Sequence, residues 1–176
     1  MSVLRRLGFR KFWIYEVIAT TSNKGVVNSA PMGAWTKDFK TISIRVYRDS
    51  KTFRNITENR CVTLSLPEKV ETFEKTLKRR VGHSKTRQGY CISGLSFIDL
   101  KLKSVTLLKD SAVVKARITG SRIRKKVRLF NRAEYLTLEY LIKKTKPKVK
   151  KKNLEELRRV VNKVAPKSVY SRIVAK

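Results

Sequence analysis

The residues best suited to chemistry lie in two short stretches of the chain, 28–33 and 45–55. The first is rich in small residues whose main chain can lie against a flat ligand, and it consists of Asn28, Ser29, Ala30, Pro31, Met32 and Gly33. The second supplies cations, hydroxyls and an amide where a strand is predicted to run into a helix, namely Arg45, Ser50, Lys51, Thr52 and Asn55. Charge-assisted hydrogen bonds and unpaired amides at a helix start suit a phosphate. Together the two stretches predict a site for a phosphorylated planar cofactor.

The side-chain periodicity predicts the elements that position these stretches. Residues 12–21 are β-branched and aromatic, which indicates a strand, and after a tight turn residues 26–36 form the returning arm of a hairpin. In 41–47 Ile and Val alternate with polar residues and Arg, a pattern typical of a strand with one buried face. Asp49 or Ser50 then caps a helix that runs to about residue 59.

The rest of the chain predicts further strands and two closing helices. A strand is expected at 60–66, a short helix at 70–80, period-two strands between 95 and 129, and helices at 132–143 and 154–164. Each closing helix begins with an Asn and, three residues later, a Glu, which resembles a capping box at Asn131 and at Asn153.

The predicted fold class is α+β, mainly β, with a closed antiparallel barrel of about six strands and C-terminal helices packed outside it. Closure would remove the edges that long β-branched strands otherwise expose. We divide the chain into a barrel with short helices at 1–129 and a C-terminal helical extension at 130–176, which contains a Lys-rich linker at 143–152.

Four motifs, spread in order through most of the chain, carry a family resemblance: residues 15–21, 28–33, 50–56 and 130–134. They resemble the FMN-binding split-barrel superfamily and, more narrowly, an archaeal branch of flavoproteins classed as a domain of unknown function. The resemblance implies an FMN-binding split barrel with FMN as the cofactor. It further implies that the loop 28–33 lies against the isoalloxazine ring and that the segment 50–55 holds the phosphate. Proteins of this kind commonly dimerise, so a homodimer is a possible assembly, and the charge leaves the oligomeric state open.

The second large feature is charge, because 43 Lys and Arg face 13 Asp and Glu and the formal net charge is +30. Self-repulsion of that size opposes the compact state, so a polyanionic partner is expected. RNA is the leading candidate, with the ribosome as the expected assembly, and an anionic membrane surface comes second. Phosphate neutralisation would make RNA binding steeply salt-dependent.

Four basic tracts are the predicted RNA contacts, although a charge run is more often a solvated face. Contacts to the RNA backbone and shape are expected rather than sequence readout, because aromatic residues interleave with cations only near residues 9–13. The assigned cations are Arg5, Arg6, Arg10, Lys11, Lys78, Arg79, Arg80, Lys85, Arg87, Arg122, Arg124, Lys126, Arg128, Lys143, Lys144, Lys146, Lys148, Lys150, Lys151 and Lys152. The period-two pattern at 122–128 predicts that Arg122, Arg124, Lys126 and Arg128 form a ladder along one strand.

Several classes of site and location are disfavoured by composition. Cys61 and Cys91 lack the spacing of a zinc site, so no metal is expected and both are interpreted as thiols of a reducing cytoplasm. No signal peptide and no membrane-spanning run is recognised. His83 is interpreted as a solvated or RNA-contacting loop residue, with a catalytic base as the alternative. No catalytic residue is assigned.

Two functional hypotheses remain open, together with a weaker third. The first is an RNA-binding protein built on an FMN-binding split barrel, a constituent of the ribosome or another ribonucleoprotein, with an inherited FMN site. The alternative is a soluble FMN-dependent oxidoreductase, in which the flavin supplies the hydride chemistry. Peripheral membrane attachment ranks third, because the cations do not flank an amphipathic apolar face.

Overall fold

The computed structural model describes residues 2–124, 127–145 and 151–175. Its strands are β1 (Tyr15–Asn23), β2 (Val26–Trp35), β3 (Thr41–Tyr47), β4 (Cys61–Leu66), β5 (His83–Lys85), β6 (Tyr90–Ile92), β7 (Ser96–Leu107) and β8 (Ser111–Arg122). Its helices are α1 (Val3–Arg6), α2 (Lys51–Asn59), α3 (Val70–Leu77), α4 (Ala133–Lys144), α5 (Lys151–Val164) and α6 (Val169–Ala175).

Six of the strands close into an antiparallel barrel in the order β1-β2-β3-β8-β7-β4, and β5 pairs with β6 in a separate hairpin. The barrel interior is filled by alternate residues of each strand, as the period-two patterns require. On β3, for example, Ile42, Ile44 and Val46 are buried in the core. The predicted fold class, a mainly β barrel of about six antiparallel strands with helices outside, is confirmed.

Strand β2 is bound along its whole length on one side only. It pairs with β1 from Val26 to Ala34, but only Ala34 and Trp35 pair with β3. Pro31 lies in the part that has no second partner strand, which suits a residue without an N–H to donate. The divergence of β2 from β3 opens a cleft in the barrel wall.

The helices pack at the ends and sides of the barrel. Helix α2 packs against β1, and Asn55 Nδ2 donates a hydrogen bond to Thr21 Oγ1 at 3.0 Å. Helices α4, α5 and α6 form a second apolar cluster that includes Tyr140 and reaches the barrel at Trp13 and Ile14. Asn131 ties this cluster to the barrel, because its Nδ2 donates to the carbonyls of Ile14 (2.8 Å) and Val164 (3.0 Å).

The structure corrects two sequence-based predictions. Strand β8 ends at Arg122, because its antiparallel partner β7 begins at Ser96 and the pair Phe97–Arg122 is the outermost one of the ribbon. The predicted ladder of cations along 122–128 therefore does not form among the described residues. Helix α5 already includes Lys151, so Asn153 lies inside the helix and does not cap it. Lys is a better helix former than Asn, and the helix therefore extends further toward its N-terminus. The division into 1–129 and 130–176 stays a prediction.

Candidate functional site

The cleft between β2 and β3 holds a cavity of about 520 Å³. Residues 30–33 of β2 form one wall, residues 45–47 of β3 form the opposite wall, and Ser50 and Thr52 at the start of α2 close one side. The remaining lining is largely aromatic or apolar and comes from Phe12, Ile14 and Trp35. A flat, partly apolar ligand with an anionic end is the shape and polarity that this cavity can take.

The cavity carries a net positive field. Arg45, Arg132 and Lys163 line it, and none of its described lining residues is a carboxylate. Arg132 Nε lies 2.7 Å from Glu16 Oε1, so part of its charge is balanced from outside the cavity. Arg45 and Lys163 are exposed and take part in none of the ion pairs found between described residues.

The start of α2 adds main-chain donors to these charges. An α-helix leaves its first amide groups without an intrahelical acceptor and carries a positive partial charge there. Ser50 is the N-cap, and its Oγ accepts from the Phe53 N–H at 3.1 Å while donating to the Tyr47 carbonyl at 2.7 Å. The hydroxyl of Ser50 is therefore engaged in the cap, and the amides of Lys51 and Thr52 remain as donors for an anion.

Thr52 and Asn55 hold α2 against the barrel. Both are buried, and Thr52 Oγ1 accepts a hydrogen bond from Asn28 Nδ2 at 3.0 Å. That bond uses a lone pair of the oxygen, so the Thr52 hydroxyl proton can point into the cavity that Thr52 lines. Asn55 is directed to Thr21 and does not line the cavity.

The predicted cofactor-binding residues thus fall into two groups. Those that line the cavity are Ala30, Pro31, Met32, Gly33, Arg45, Ser50 and Thr52. Those that lie outside its lining are Asn28, Ser29, Lys51 and Asn55. Ser29 instead forms hydrogen bonds of 2.9 Å with Thr20 Oγ1 and with His83 Nε2 of the β5–β6 hairpin. His83 therefore contacts strand β2, and burial lowers its pKa. The assignment of the predicted residues to a cofactor stays a prediction.

Gly33 permits a close approach in the cavity wall. A Cβ atom at this position would lie 2.6 Å from Cγ2 of Ile14, which also lines the cavity. Such a distance is a steric clash, so any larger residue would have to displace Ile14 and change the cavity wall.

Several lining residues were not assigned from the sequence, namely Phe12, Ile14, Trp35, Val46, Tyr47, Arg132 and Lys163. Arg132 belongs to the motif 130–134, which contributed to the family resemblance, but no function was assigned to Arg132 from it. Nothing in the sequence distinguished Lys163 from the other lysines, because the chain contains 43 Lys and Arg.

A larger cavity of about 680 Å³ lies at another place, between Trp13, Tyr15 and α4. Three carboxylates, Glu68, Glu71 and Glu134, line it, and Glu134 forms an ion pair with Arg128 at 2.9 Å. These carboxylates make it a poorer site for an anion than the β2–β3 cleft.

The predicted RNA-contacting cations are dispersed over the molecule. Lys78, Arg128 and Lys143 form ion pairs with Glu74, Glu134 and Glu139. Arg5, Arg10, Lys11 and Lys144 lie over the aromatic rings of Phe39, Trp13, Phe39 and Tyr140. The exposed remainder comprises Arg6, Arg79, Arg80, Lys85, Arg87, Arg122, Arg124 and Lys152. Lys151 begins α5, and Lys126, Lys146, Lys148 and Lys150 lie outside the described residues.

Within the described ranges, no three His, Cys, Asp or Glu side chains gather in a way that could hold a metal ion. No helix in the same part of the chain is long and apolar enough to cross a membrane.

Comparison with known proteins places the fold. A family model described as the N-terminal domain of DUF447, a protein of unknown function, matches residues 15–162. An FMN-bound protein from Methanosarcina mazei, assigned to the same family model, is similar to this chain with a TM-score of 0.59 and 17% identity, over 98% of this chain and 96% of that chain.

Two other crystal structures share the barrel. An FMN-binding protein from Thermus thermophilus, with bound p-hydroxybenzaldehyde, has a TM-score of 0.54 and 13% identity over 62% of this chain and 71% of that chain. A flavoredoxin from Methanosarcina acetivorans has a TM-score of 0.56 and 12% identity over 64% of this chain and 69% of that chain. No curated protein matches the chain. The predicted split-barrel fold and family resemblance are confirmed.

Proposed function

Because this chain belongs to the DUF447 N-terminal-domain family, we propose that it is a flavoprotein that binds FMN in the β2–β3 cleft and serves as an FMN-dependent oxidoreductase. The observation that carries the proposal is the composition of the cleft. Three cations and a helix start meet an aromatic and apolar wall, and no carboxylate is found among the described lining residues. The FMN-bound and FMN-binding relatives support the same ligand. Flavin reductases also share the fold, and they support the oxidoreductase hypothesis better than the RNA-binding one.

The residues present fit FMN on both its chemical parts. Arg45, the amides at the start of α2 and the Thr52 hydroxyl supply charge-assisted donors for a phosphate. The main chain at 30–33 carries little side-chain bulk at Gly33, which has no Cβ, so a flat ring can lie against it. Phe12, Trp35 and Tyr47 add aromatic surface to the same cavity.

Each group has a separate task in such a site. The cations and α2 would hold the phosphate, and the wall at 30–33 with its aromatic neighbours would orient the ring and exclude water from one side. FMN, when bound, supplies hydride-transfer chemistry that amino-acid side chains lack. The protein then needs to hold and orient the cofactor, and an acid or base among the lining residues is not required. The predicted homodimer and cytoplasmic location stay predictions.

The test is to titrate the protein with FMN and, separately, with riboflavin, which has the same ring and no phosphate. Binding is measured by the quenching of flavin fluorescence. The phosphate contacts proposed here should make FMN bind at least about 100-fold more tightly, because each hydrogen bond to a charged group contributes roughly 1.5–3 kcal/mol. Equal affinity for the two ligands would refute the phosphate site at α2, and binding of neither would refute the flavoprotein proposal.

A further inference from the structure

The outer side of the β7–β8 ribbon carries a concentration of cations that no basic tract of the sequence marks. Its residues come from separate places in the chain and are brought together by strand pairing. They are Lys101, Lys103, Lys115 and Arg117, which we call the cationic face. Lys101 lies directly opposite Arg117, and Lys115 lies opposite Ser104.

The register is set by an irregularity in the ribbon. Pairing shifts between Leu102 and Ser104, so Lys103 is the extra residue of a bulge and is exposed. Bulges bend a strand and redirect a side chain. As a result, three lysines and an arginine lie on two adjacent strands about 4.8 Å apart, with same-strand neighbours spaced by roughly 6.6 Å.

Like charges directly opposite each other on a sheet destabilise it, and the nearby carboxylates do little to offset this. Ion pairs between described residues engage Lys78, Arg128, Arg132 and Lys143, and none engages the cationic face. Asp99, two residues before Lys101, is buried and accepts hydrogen bonds from Thr63 and Thr86. The molecule therefore tolerates an arrangement that costs stability, as expected of a surface that binds an anion.

Asp38 is the other carboxylate near the face, and it is engaged in the β2–β3 turn. Its Oδ1 accepts from the N–H groups of Lys40 and Thr41, both at 2.8 Å, and the Thr41 hydroxyl lies within hydrogen-bonding distance of both of its oxygens. Lys115 is near enough to favour the charged form of Asp38. Lys115 therefore acts on a carboxylate that is already hydrogen-bonded within its own turn.

Further cations extend the face across β3. Thr41 pairs with Arg117, so the exposed Lys40 and Lys37 of the preceding turn lie next to the ribbon. On the far side of that turn, Arg5 lies over the ring of Phe39 at 4.7 Å. Arg5 of the N-terminal segment therefore lies beside the same turn.

The composition of the face favours a nucleic-acid backbone over a membrane. Ser104, directly opposite Lys115, is an exposed hydroxyl within the face, whereas the exposed apolar residues Leu107 and Leu108 lie at the far end of the ribbon, beyond Thr106. Membrane binding requires apolar side chains to insert beside the cations. Hydroxyl groups can also bond to a 2′-OH, the group that distinguishes RNA from DNA.

The shape of the barrel favours a single strand. The outer side of a closed barrel is convex, and duplex DNA is stiff over about 150 base pairs, so a duplex would touch only a few of these cations. A flexible single strand can follow the curvature and bring successive phosphates to successive lysines.

We propose that the cationic face, formed by the outer side of β7 and β8, binds the phosphate backbone of single-stranded RNA. The surface is separate from the flavin cleft, so it represents a function in addition to the one proposed above. Each phosphate neutralised releases condensed counterions, and the affinity should therefore fall steeply with salt.

The experiment compares two variants of the full chain that each lose four positive charges. The face variant carries Lys101→Gln, Lys103→Gln, Lys115→Gln and Arg117→Gln. The control, the helix variant, carries Lys69→Gln, Lys75→Gln, Arg159→Gln and Arg172→Gln, all exposed cations on or beside α3, α5 and α6. Binding of a labelled single-stranded RNA of about 20 nucleotides is followed by fluorescence anisotropy at several salt concentrations.

The face variant should bind RNA on the order of 100-fold more weakly at 0.1 M salt, and its plot of log affinity against log salt should be flatter by about 3 units. The helix variant should lose less than about threefold, in keeping with loss of general charge alone. Equal losses in the two variants would overturn the proposal, as would absence of RNA binding by the wild type. FMN titration and thermal unfolding of both variants report folding independently.

Two other ligands test the choice of partner. A DNA single strand of the same sequence that bound as tightly would overturn the selection of RNA. The second ligand is a vesicle of phosphatidylserine and phosphatidylcholine. If the wild type bound these vesicles, and the face variant lost vesicle binding while its RNA affinity stayed unchanged, the surface would be assigned to a membrane instead.

Discussion

The β2–β3 cleft and the cationic face share strand β3 as a neighbour, yet they use positive charge in different ways. In the cleft, Arg45 stands beside a helix start and an apolar wall, so charge is combined with a shape. On the face, Lys101 and Arg117 stand in solvent on a convex surface, so charge acts without a cavity. The first arrangement suits one small anion held in one pose, and the second suits a polyanion held by its backbone. Salt, shape changes and single charges should therefore affect the two regions differently.

Salt should separate the regions most strongly. Raising NaCl from about 0.05 to about 0.5 M should weaken RNA binding by several hundred-fold if four phosphates are neutralised. FMN binding should weaken by less than about tenfold, because a partly enclosed ion pair is screened much less. Parallel titrations of the wild type measure both. A similar salt response for the two ligands would remove the distinction drawn between the regions.

Arg45 tests whether the cleft recognises a phosphate. Arg45→Gln should weaken FMN binding by roughly 10- to 100-fold, because it removes a charge-assisted hydrogen bond, and should leave riboflavin binding unchanged. Arg48→Gln is the matched control, because it removes the same charge three residues away. The Arg48 side chain donates to the Lys109 carbonyl and does not line the cleft. Equal effects of the two substitutions would attribute the loss to overall charge.

Gly33 tests the other half of the comparison, the shape of the cleft. Gly33→Ala should displace Ile14, change the cavity wall and weaken both FMN and riboflavin by about tenfold, in keeping with an overpacking cost of roughly 1–3 kcal/mol. Gly89→Ala is the control, because nothing lies within 4 Å of a Cβ there and the backbone has no positive φ. A Gly33→Ala protein with normal affinity for both flavins would show that the ring does not lie against this wall.

The parts of the cleft contributed by neighbouring residues could be predicted from the sequence, and the parts contributed by distant residues could not. Alternation at 41–47 and the cap at Ser50 are local signals, and they place Arg45 and the start of α2 correctly. Arg132 reaches the cleft only because Asn131 bonds the C-terminal helices to the carbonyls of Ile14 and Val164. No local periodicity records such a contact.

The cationic face was hidden from the sequence for a similar reason. The alternation of Lys101 and Lys103 with leucines is visible, but the partner of each lysine depends on register. The pairing shift between Leu102 and Ser104 in the β7–β8 ribbon decides that Lys101 meets Arg117 and not Ile118. Basic tracts along the chain, in contrast, were easy to recognise, and three of their cations are balanced by neighbouring glutamates.

Asp38 lies in the turn between β2 and β3, the two strands that form the walls of the cleft, and near Lys115 of the cationic face. The pH dependence of the free energy of unfolding tests what its charge contributes there. Burial alone would raise its pKa, but hydrogen bonds from Thr41 and Lys40 lower the pKa from 3.8 to about 2. Since the folded pKa lies below the unfolded one, the unfolded chain binds more protons between these values, and stability rises with pH there.

Asp38→Asn should therefore be less stable than the wild type by about 1 kcal/mol above pH 4, after allowance for exposure, and the difference should close as pH falls through about 2. Urea unfolding at a series of pH values measures it. A difference that stayed constant down to pH 2 would contradict the role given to the Asp38 charge.

The smallest expected effect is a change in stability on removing one cation of the face. It tests directly whether the like charges of the cationic face lower the stability of the free protein. If Lys101 and Arg117 repel each other across the ribbon, Lys101→Gln should raise the free energy of unfolding by roughly 0.2–1 kcal/mol at low salt, and the gain should disappear at high salt. Lys24→Gln, at the exposed β1–β2 turn, removes the same charge without an opposing cation and should change stability less. Stabilisation by Lys101→Gln together with weaker RNA binding would show that the fold retains a repulsive pair that the ligand relieves. Destabilisation would mean that the Lys101 side chain packs favourably in the free protein, and the cost argued for the face would not exist.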